Sequence, residues 1–222
     1  MKYSFRFVIV AAVYVACLIT ANIIAVKIIS IGPFYFPAAI IIFPLSYIFG
    51  DVLTEVYGYR MARRIIWLGF GCNLLFVFFA WLGQIMPSAP FWQDQTAYQT
   101  IIGLAPRLFI ASLIGYLVGE FANSFVLSKL KILTKGRWLW TRTIGSTVIG
   151  QALDTSIFIV VAFAGTSSFV PIMIIYHWAG KVLIEAVATP ATYAIVKSLK
   201  KHEAIDTYDY QTNFNPFLVT DK

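Results

Sequence analysis

Residues Phe5–Ile29 read FRFVIVAAVYVACLITANIIAVKII, 25 residues in which only Arg6 and Lys27 are charged. A helix crosses the roughly 30 Å hydrocarbon core of a bilayer with about 20 predominantly apolar residues, and this stretch predicts such a helix. Lys2 and Arg6 ahead of the run give it the outline of a signal peptide. No small-residue cleavage site follows and the run is too long for an h-region, so it is read as a retained first span. Five further runs qualify along the chain: Phe36–Tyr57, Ile65–Met86, Pro106–Leu130, Thr141–Ala164 and Pro171–Lys197. Together they predict an all-α polytopic membrane protein, a six-helix transmembrane bundle over residues 1–200 followed by a polar tail over 201–222. The second run is interrupted by Pro44, Gly50, Asp51 and Glu55. A kinked or partly unwound span is expected there, which a membrane accepts only inside protein or beside a cavity.

Composition supports this reading. The chain is 59% hydrophobic and 12% charged, about half the charged share of a soluble domain. So few charges cannot cover a water-facing surface. The net charge of +7 has a topological origin and does not call for a nucleic-acid partner. The second loop holds Arg60, Arg63 and Arg64, and the fourth holds Lys129, Lys131, Lys135, Arg137 and Arg142. The tail begins with Lys197, Lys200 and Lys201, while the first, third and fifth loops contain no Lys or Arg. This positive-inside pattern predicts that both termini are cytoplasmic. Pro87–Leu104, with Trp92, Asp94 and Tyr98, is expected as an external interfacial loop. The tail beyond Lys201 is polar enough for disorder and receives no function. Cys17 and Cys72 lie inside apolar runs and predict no disulfide.

The charges left inside the spans are the informative residues. They are Lys27, Arg107, Lys181, Asp51, Glu55, Glu120, Asp154 and Glu185. At about 3 kcal/mol each they would cost roughly 20 kcal/mol if left uncompensated in lipid. They must pair, face a wet cavity or reach an interface. Lys27 and Arg107 lie near external helix ends, where snorkelling to the interface competes with a functional role. Asp51 and Glu55 are four apart on one helical face and approach Arg60, Arg63 and Arg64. A structural or gating carboxylate–guanidinium lock is expected there. Glu120, Asp154, Lys181 and Glu185 lie deeper, either as a buried ion pair fixing helix register or as a site. Thr147, Gln151 and Asp154 form one helical stripe; Tyr116, Glu120 and Asn123 form a second; His177, Lys181 and Glu185 form a third. With Thr20 and Asn22 of the first span, these stripes describe a solute-binding cavity. Phe43, Tyr47 and Phe158 are placed to stack on a planar ligand. Ala12, Ala16 and Thr20, then Ala21 and Ala25, offer close packing within the bundle, or against a partner protein.

Several chemistries lack their motifs. There is no phosphate-binding G-x-x-x-x-G-K-[ST] loop, no H-E-x-x-H and no Cys/His cluster, so no nucleotide-driven pump, metal centre or cofactor is indicated. Ser146 and His177 lack a nucleophile elbow, which argues against an intramembrane hydrolase.

The segment Phe43–Arg64, FPLSYIFGDVLTEVYGYRMARR, resembles the family of queuosine-precursor transporters, also called the vitamin uptake transporter family. The resemblance extends over nearly the whole chain, through Ala21-Asn22, through Gly150-Gln151-Ala152-Leu153-Asp154-Thr155, and through Gly180-Lys181-Val182-Leu183 followed by Thr189-Pro190. Gln151 stands where some relatives carry Asn, and both supply an amide. The resemblance implies a bacterial inner-membrane importer of a 7-deazapurine precursor of queuosine: the nitrile, the aminomethyl form or queuine. On that reading the substrate-binding candidates are Asp154, Gln151, Lys181, Glu185, Asn22, Glu120 and Arg107. Asp51, Glu55, Arg63 and Arg64 are structural or gating. A carboxylate, Asp154 first, would accept from the ring N–H and exocyclic amine of the base, and an amide or ammonium would donate to its carbonyl. The alternative is a substrate-capture subunit for a vitamin-like solute that docks on a separate ATP-driven partner. A homo-oligomer is compatible with either.

Overall fold

The computed structural model describes residues 4–32, 34–103, 106–166 and 169–218. Five of the apolar runs become helices long and apolar enough to cross a membrane: α1 (Phe5–Ile24), α3 (Tyr59–Ile85), α5 (Pro106–Leu133), α6 (Leu139–Phe163) and α7 (Ile172–Glu203). Their outward faces carry large apolar side chains, as Leu75, Phe78, Phe79 and Trp81 do on α3. The short helix α4 (Gln95–Ile101) lies in the segment expected as an interfacial loop.

The second of the six expected spans takes an irregular form. The run Phe36–Tyr57 does not form one membrane-length helix. It opens in an antiparallel hairpin, β1 (Ile28–Ile31) with β2 (Phe34–Pro37), continues as a 3-10 turn over Ala38–Ile41, and becomes α-helical only in α2 (Phe43–Tyr57). Fifteen residues rise about 22 Å, less than the hydrocarbon core. Pro44 sits in the first turn of α2, where its missing N–H costs nothing but its ring blocks continuation upstream. A short helix suffices because α2 packs against α1, α3, α5 and α7 inside the bundle. Val52, Leu53 and Val56 are buried, and so are Asp51, Thr54 and Glu55.

Arg6 of α1 meets Glu203 at the end of α7 at 3.5 Å, so both ends of the described chain lie at one end of the bundle. The loop cations are there too, and we call it the basic end; the β1–β2 hairpin marks the other. Between α2 and α3, Gly58 adopts φ 83°, a conformation that a side chain disfavours. A Cβ there would also press on Thr207 Cγ2 at 2.7 Å.

Thr207 belongs to the tail, whose described part, through Leu218, packs against the basic end. Asp209 Oδ2 accepts from the Tyr59 amide at 3.0 Å, capping the first turn of α3, where a negative charge is favoured. Arg63 donates to the carbonyls of Asn213 and Asn215 at 2.9 and 2.8 Å. Trp67 Nε1 donates to the Pro216 carbonyl at 2.8 Å. A segment without secondary structure of its own thus finds side-chain donors for its carbonyls.

The closest helix crossing is between α5 and α6. A Cβ on Gly119 would lie 2.6 Å from Asp154 Cβ and 3.0 Å from the Gly150 carbonyl. The first-span stripe does not serve this purpose, since Ala12, Ala16 and Thr20 face outward. Gly119→Ala is therefore expected to cost about 1–2 kcal/mol by overpacking and to lower the melting temperature in detergent. Gly71→Ala, with open space around it, is expected to be neutral or stabilising by about 0.5–1 kcal/mol. Equal effects at the two positions would show that the crossing is not close.

Candidate functional site

A cavity of about 540 Å³ lies between the helices. Its rim is made by Val26, Pro37 and His177 toward the hairpin end, and its wall draws on α1, α2, α3, α5, α6 and α7. Asn22, Glu120, Gln151, Asp154 and Lys181, all expected as site residues, line it together. Four helices contribute them because each polar stripe turns inward. The Gly119–Gly150 crossing brings Asp154 of α6 up to α5. Tyr47 and Phe158 lie in the same wall; the side chain of Phe43 lies outside the described residues.

Asp154 and Lys181 form an ion pair at 2.5 Å, each about one fifth exposed. Asp154 thus has a cation from the neighbouring helix, although none stands within a turn of it on its own. Glu120 differs: among the described residues it makes no salt bridge, and its hydrogen bond comes from the Tyr14 hydroxyl. Tyr14 is in turn 3.2 Å from the Tyr116 hydroxyl, which donates to the Ile66 carbonyl. Asn22 Nδ2 donates to Asn73 Oδ1 at 2.6 Å. Asn73 was not singled out in the sequence, although an amide within the apolar run of α3 is the kind of signal that marks such a position. Tyr47 OH reaches Gln151 Oε1 at 3.5 Å.

Two expected residues lie outside the cavity lining. Arg107 is exposed and donates to the carbonyls of Val161 and Ala164, at 2.7 and 2.5 Å, tying down the end of α6. Glu185 lies one helical turn past Lys181, fully buried. Ser146 is buried and donates to the Thr143 carbonyl at 2.9 Å, while His177 is at the cavity rim.

Toward the basic end lies a charge cluster around Glu55. Glu55 is fully buried and accepts from Arg142 through both oxygens, Nε to Oε2 at 3.2 Å and Nη2 to Oε1 at 2.8 Å. Lys200 Nζ reaches Oε1 at 2.7 Å and Lys131 Nζ at 3.7 Å. Asp206 of the tail pairs with Lys131 and Lys200 at 2.5 and 2.9 Å. Burial raises the Asp206 carboxyl, but its hydrogen bonds from Lys131 and Lys200 outweigh that and hold it below its ordinary value. Glu55 therefore meets other cations than the ones expected. Its cations come from α5, α6 and α7 rather than from Arg60, Arg63 and Arg64, so it joins four helices and the tail instead of holding one loop. Asp51 stands apart from it, accepting from Asn123 Nδ2 at 2.9 Å.

Comparison with known proteins gives the chain its relatives. A protein of Bacillus subtilis (strain 168) named "Probable queuosine precursor transporter" is 38% identical over 116 residues, 52% of this chain and 51% of that protein. The match thus spans about half the length of the relative. No solved structure matches the chain. The family model described as "Putative vitamin uptake transporter" matches residues 37–195, a stretch that contains α2, α3, α5, α6 and most of α7, and with them Glu55 and nearly all of the polar cavity wall. With five helices long and apolar enough to cross a membrane and an internal polar cavity, this is a multi-pass membrane protein, and the chain belongs to the vitamin uptake transporter family.

Proposed function

We propose that the protein imports a 7-deazapurine precursor of queuosine across a bacterial inner membrane, with the basic end and both termini cytoplasmic. The orientation rests on the concentration of Lys and Arg at that end, and the substrate class on the name of the relative and the chemistry of the cavity. The observation that carries the reading is Glu120. It is a cavity carboxylate without an ion pair, in one wall with the Gln151 amide, the Lys181 ammonium and two aromatic rings. A cavity of about 540 Å³ lies within the range of small-molecule sites.

A deazaguanine presents a ring N–H and an exocyclic amine on one edge. Two such donors suit one carboxylate, and an adjacent amide or ammonium suits the neighbouring carbonyl. Glu120 takes the first role and Gln151 or Lys181 the second, with Tyr47 or Phe158 against the ring face. Asp154 contributes through its pair with Lys181 and becomes a direct acceptor when the base claims that ammonium. In this conformation the cavity opens toward the hairpin end, the external side, and the Glu55 cluster closes the cytoplasmic side. Transport then requires the cluster to separate as the rim closes.

The test is binding of 7-cyano-7-deazaguanine, its aminomethyl analogue and queuine to the purified protein in detergent, with guanine as competitor. Micromolar binding of one of them, not displaced by tenfold guanine, is expected. It should weaken about 10–100-fold in Glu120→Gln, the loss of hydrogen bonds to a charged acceptor. Absence of binding by all three to monodisperse protein would remove the substrate from this reading.

A further inference from the structure

The cavity and the basic-end cluster do not meet directly. Along α2, Tyr47 lines the cavity, Asp51 lies one turn deeper, and Glu55 holds the cluster one turn beyond that. Along α7, Lys181 lines the cavity and Glu185 lies one turn deeper. The layer between site and gate therefore contains two carboxyl groups, and their exposures are 1% for Asp51 and 0% for Glu185. Neither oxygen of Glu185 has a hydrogen-bond partner, and neither do Asp51 Oδ2 and Asn123 Oδ1. The layer is a set of buried acceptors short of donors.

The charged neighbours make the deficit worse. Asp51 lies in the field of Glu185, Glu120 and Glu55, and Glu185 in that of Glu120. The nearby cations are engaged elsewhere. Lys181 of α7 pairs with Asp154 of α6, Arg142 of α6 with Glu55, and Arg63 of α3 with the tail carbonyls. From α1 the facing titratable group is Tyr14, which hydrogen-bonds Glu120. An ionised carboxylate sealed from water without a donor or counter-charge costs several kcal/mol, and such a group takes up a proton instead. A bound proton turns Glu185 into the donor that the layer lacks. Metal ligation fits less well, since among the described residues no three acidic, His or Cys side chains gather as ligands.

We propose that Glu185, with Asp51, forms a proton-binding site between the substrate cavity and the gate, and that a proton crosses the membrane together with the solute. The step is acid–base only. A proton from the external side binds a Glu185 oxygen while the gate is closed. It leaves to water from the cytoplasmic side once the gate opens and supplies the donors that the closed layer lacks. Pro190, one turn further along α7, removes a helix hydrogen bond there, so the carboxyl sits beside a weak point of the helix that must move. Coupling to Glu120 follows from charge. Two N–H donors from a bound base stabilise Glu120 as an anion, and that anion holds the proton on its neighbours. The proton site stands on the geometry; its use in symport rests on the function proposed above.

Two measurements separate these claims. Infrared spectra of purified wild type at pH 7 are expected to show the C=O stretch of a protonated carboxyl, shifted by D₂O exchange and lost in Glu185→Gln. No such band in wild type would overturn the proton site without reference to any substrate. In vesicles containing pyranine, with the potential clamped, uptake of 7-cyano-7-deazaguanine is expected to acidify the lumen. One pH unit, inside alkaline, should drive about tenfold accumulation at one proton per base, and Glu185→Gln or Asp51→Asn should abolish it. Uptake that only equalises concentrations, or that follows a sodium gradient, would overturn the coupling. If the band is present but no uptake occurs, the proposed substrate falls and the proton site stands. The wild-type measurements decide even if a variant fails to fold.

Discussion

Glu55→Ala is expected to destabilise the protein by about 3–5 kcal/mol, the cost of leaving buried charges without their counter-ion. The prediction is strong because one carboxylate serves three cations. Arg142 and Lys131 are almost fully buried, and Lys200 is about one quarter exposed. Removing Glu55 leaves Lys131 with Asp206 and its carbonyl acceptors, but strips Arg142 of its only acid partner among the described residues. The check is thermal unfolding of the purified protein in detergent, followed by loss of monodispersity. Glu55→Gln keeps volume and an acceptor but not the charge, and should fall between wild type and Glu55→Ala. Wild-type stability in both variants would mean that the cluster is not a lock, and the closed gate described above would lose its basis.

The second large effect concerns Asp154 and Lys181. Lys181→Met should cost about 2–3 kcal/mol, less than a fully buried break because both groups are partly exposed to the cavity. Asp154→Asn should cost a similar amount. The double variant Asp154→Asn/Lys181→Met should recover most of the loss, because neither group is then left uncompensated, and the coupling energy should be about 1–3 kcal/mol. Binding of the base should not recover with stability, because the charged pair facing the cavity is gone. Additive losses in stability would show that the pair is not a unit. Full binding in the double variant would leave recognition to Glu120, Gln151 and Asn22, without Asp154 and Lys181.

Residue type and periodicity alone determined much of this protein. Apolar runs near 20 residues can bury their backbone hydrogen bonds only as helices in lipid, so five of the expected spans appear within a few residues of their predicted ends. Polar side chains at helical spacing inside those runs cannot face hydrocarbon cheaply, so Asn22, Glu120, Gln151, Asp154 and Lys181 were marked for an interior cavity. An irregular second run was expected too, but α2 is continuous through Gly50, Asp51 and Glu55, and the non-helical stretch lies upstream of Phe43.

Which charge meets which was decided only by tertiary structure, because partners in a bundle come from helices far apart in sequence. Lys131, Arg142 and Lys200 read as loop cations serving orientation, and only the packing of α5, α6 and α7 around a central α2 brings them onto Glu55. Asp154 has no cation within a turn on its own helix and acquires Lys181 across the α6–α7 contact, whereas Glu120 faces the cavity without a salt bridge among the described residues. The tail reads as polar coil until Tyr59, Arg63 and Trp67 supply donors for its carbonyls. Glu185 and Arg107, both charged residues within apolar runs, part ways for the same reason. Sequence sets the cost of placing a charge in a membrane, and the fold decides whether that cost is met by water, a carbonyl, a counter-ion or a proton.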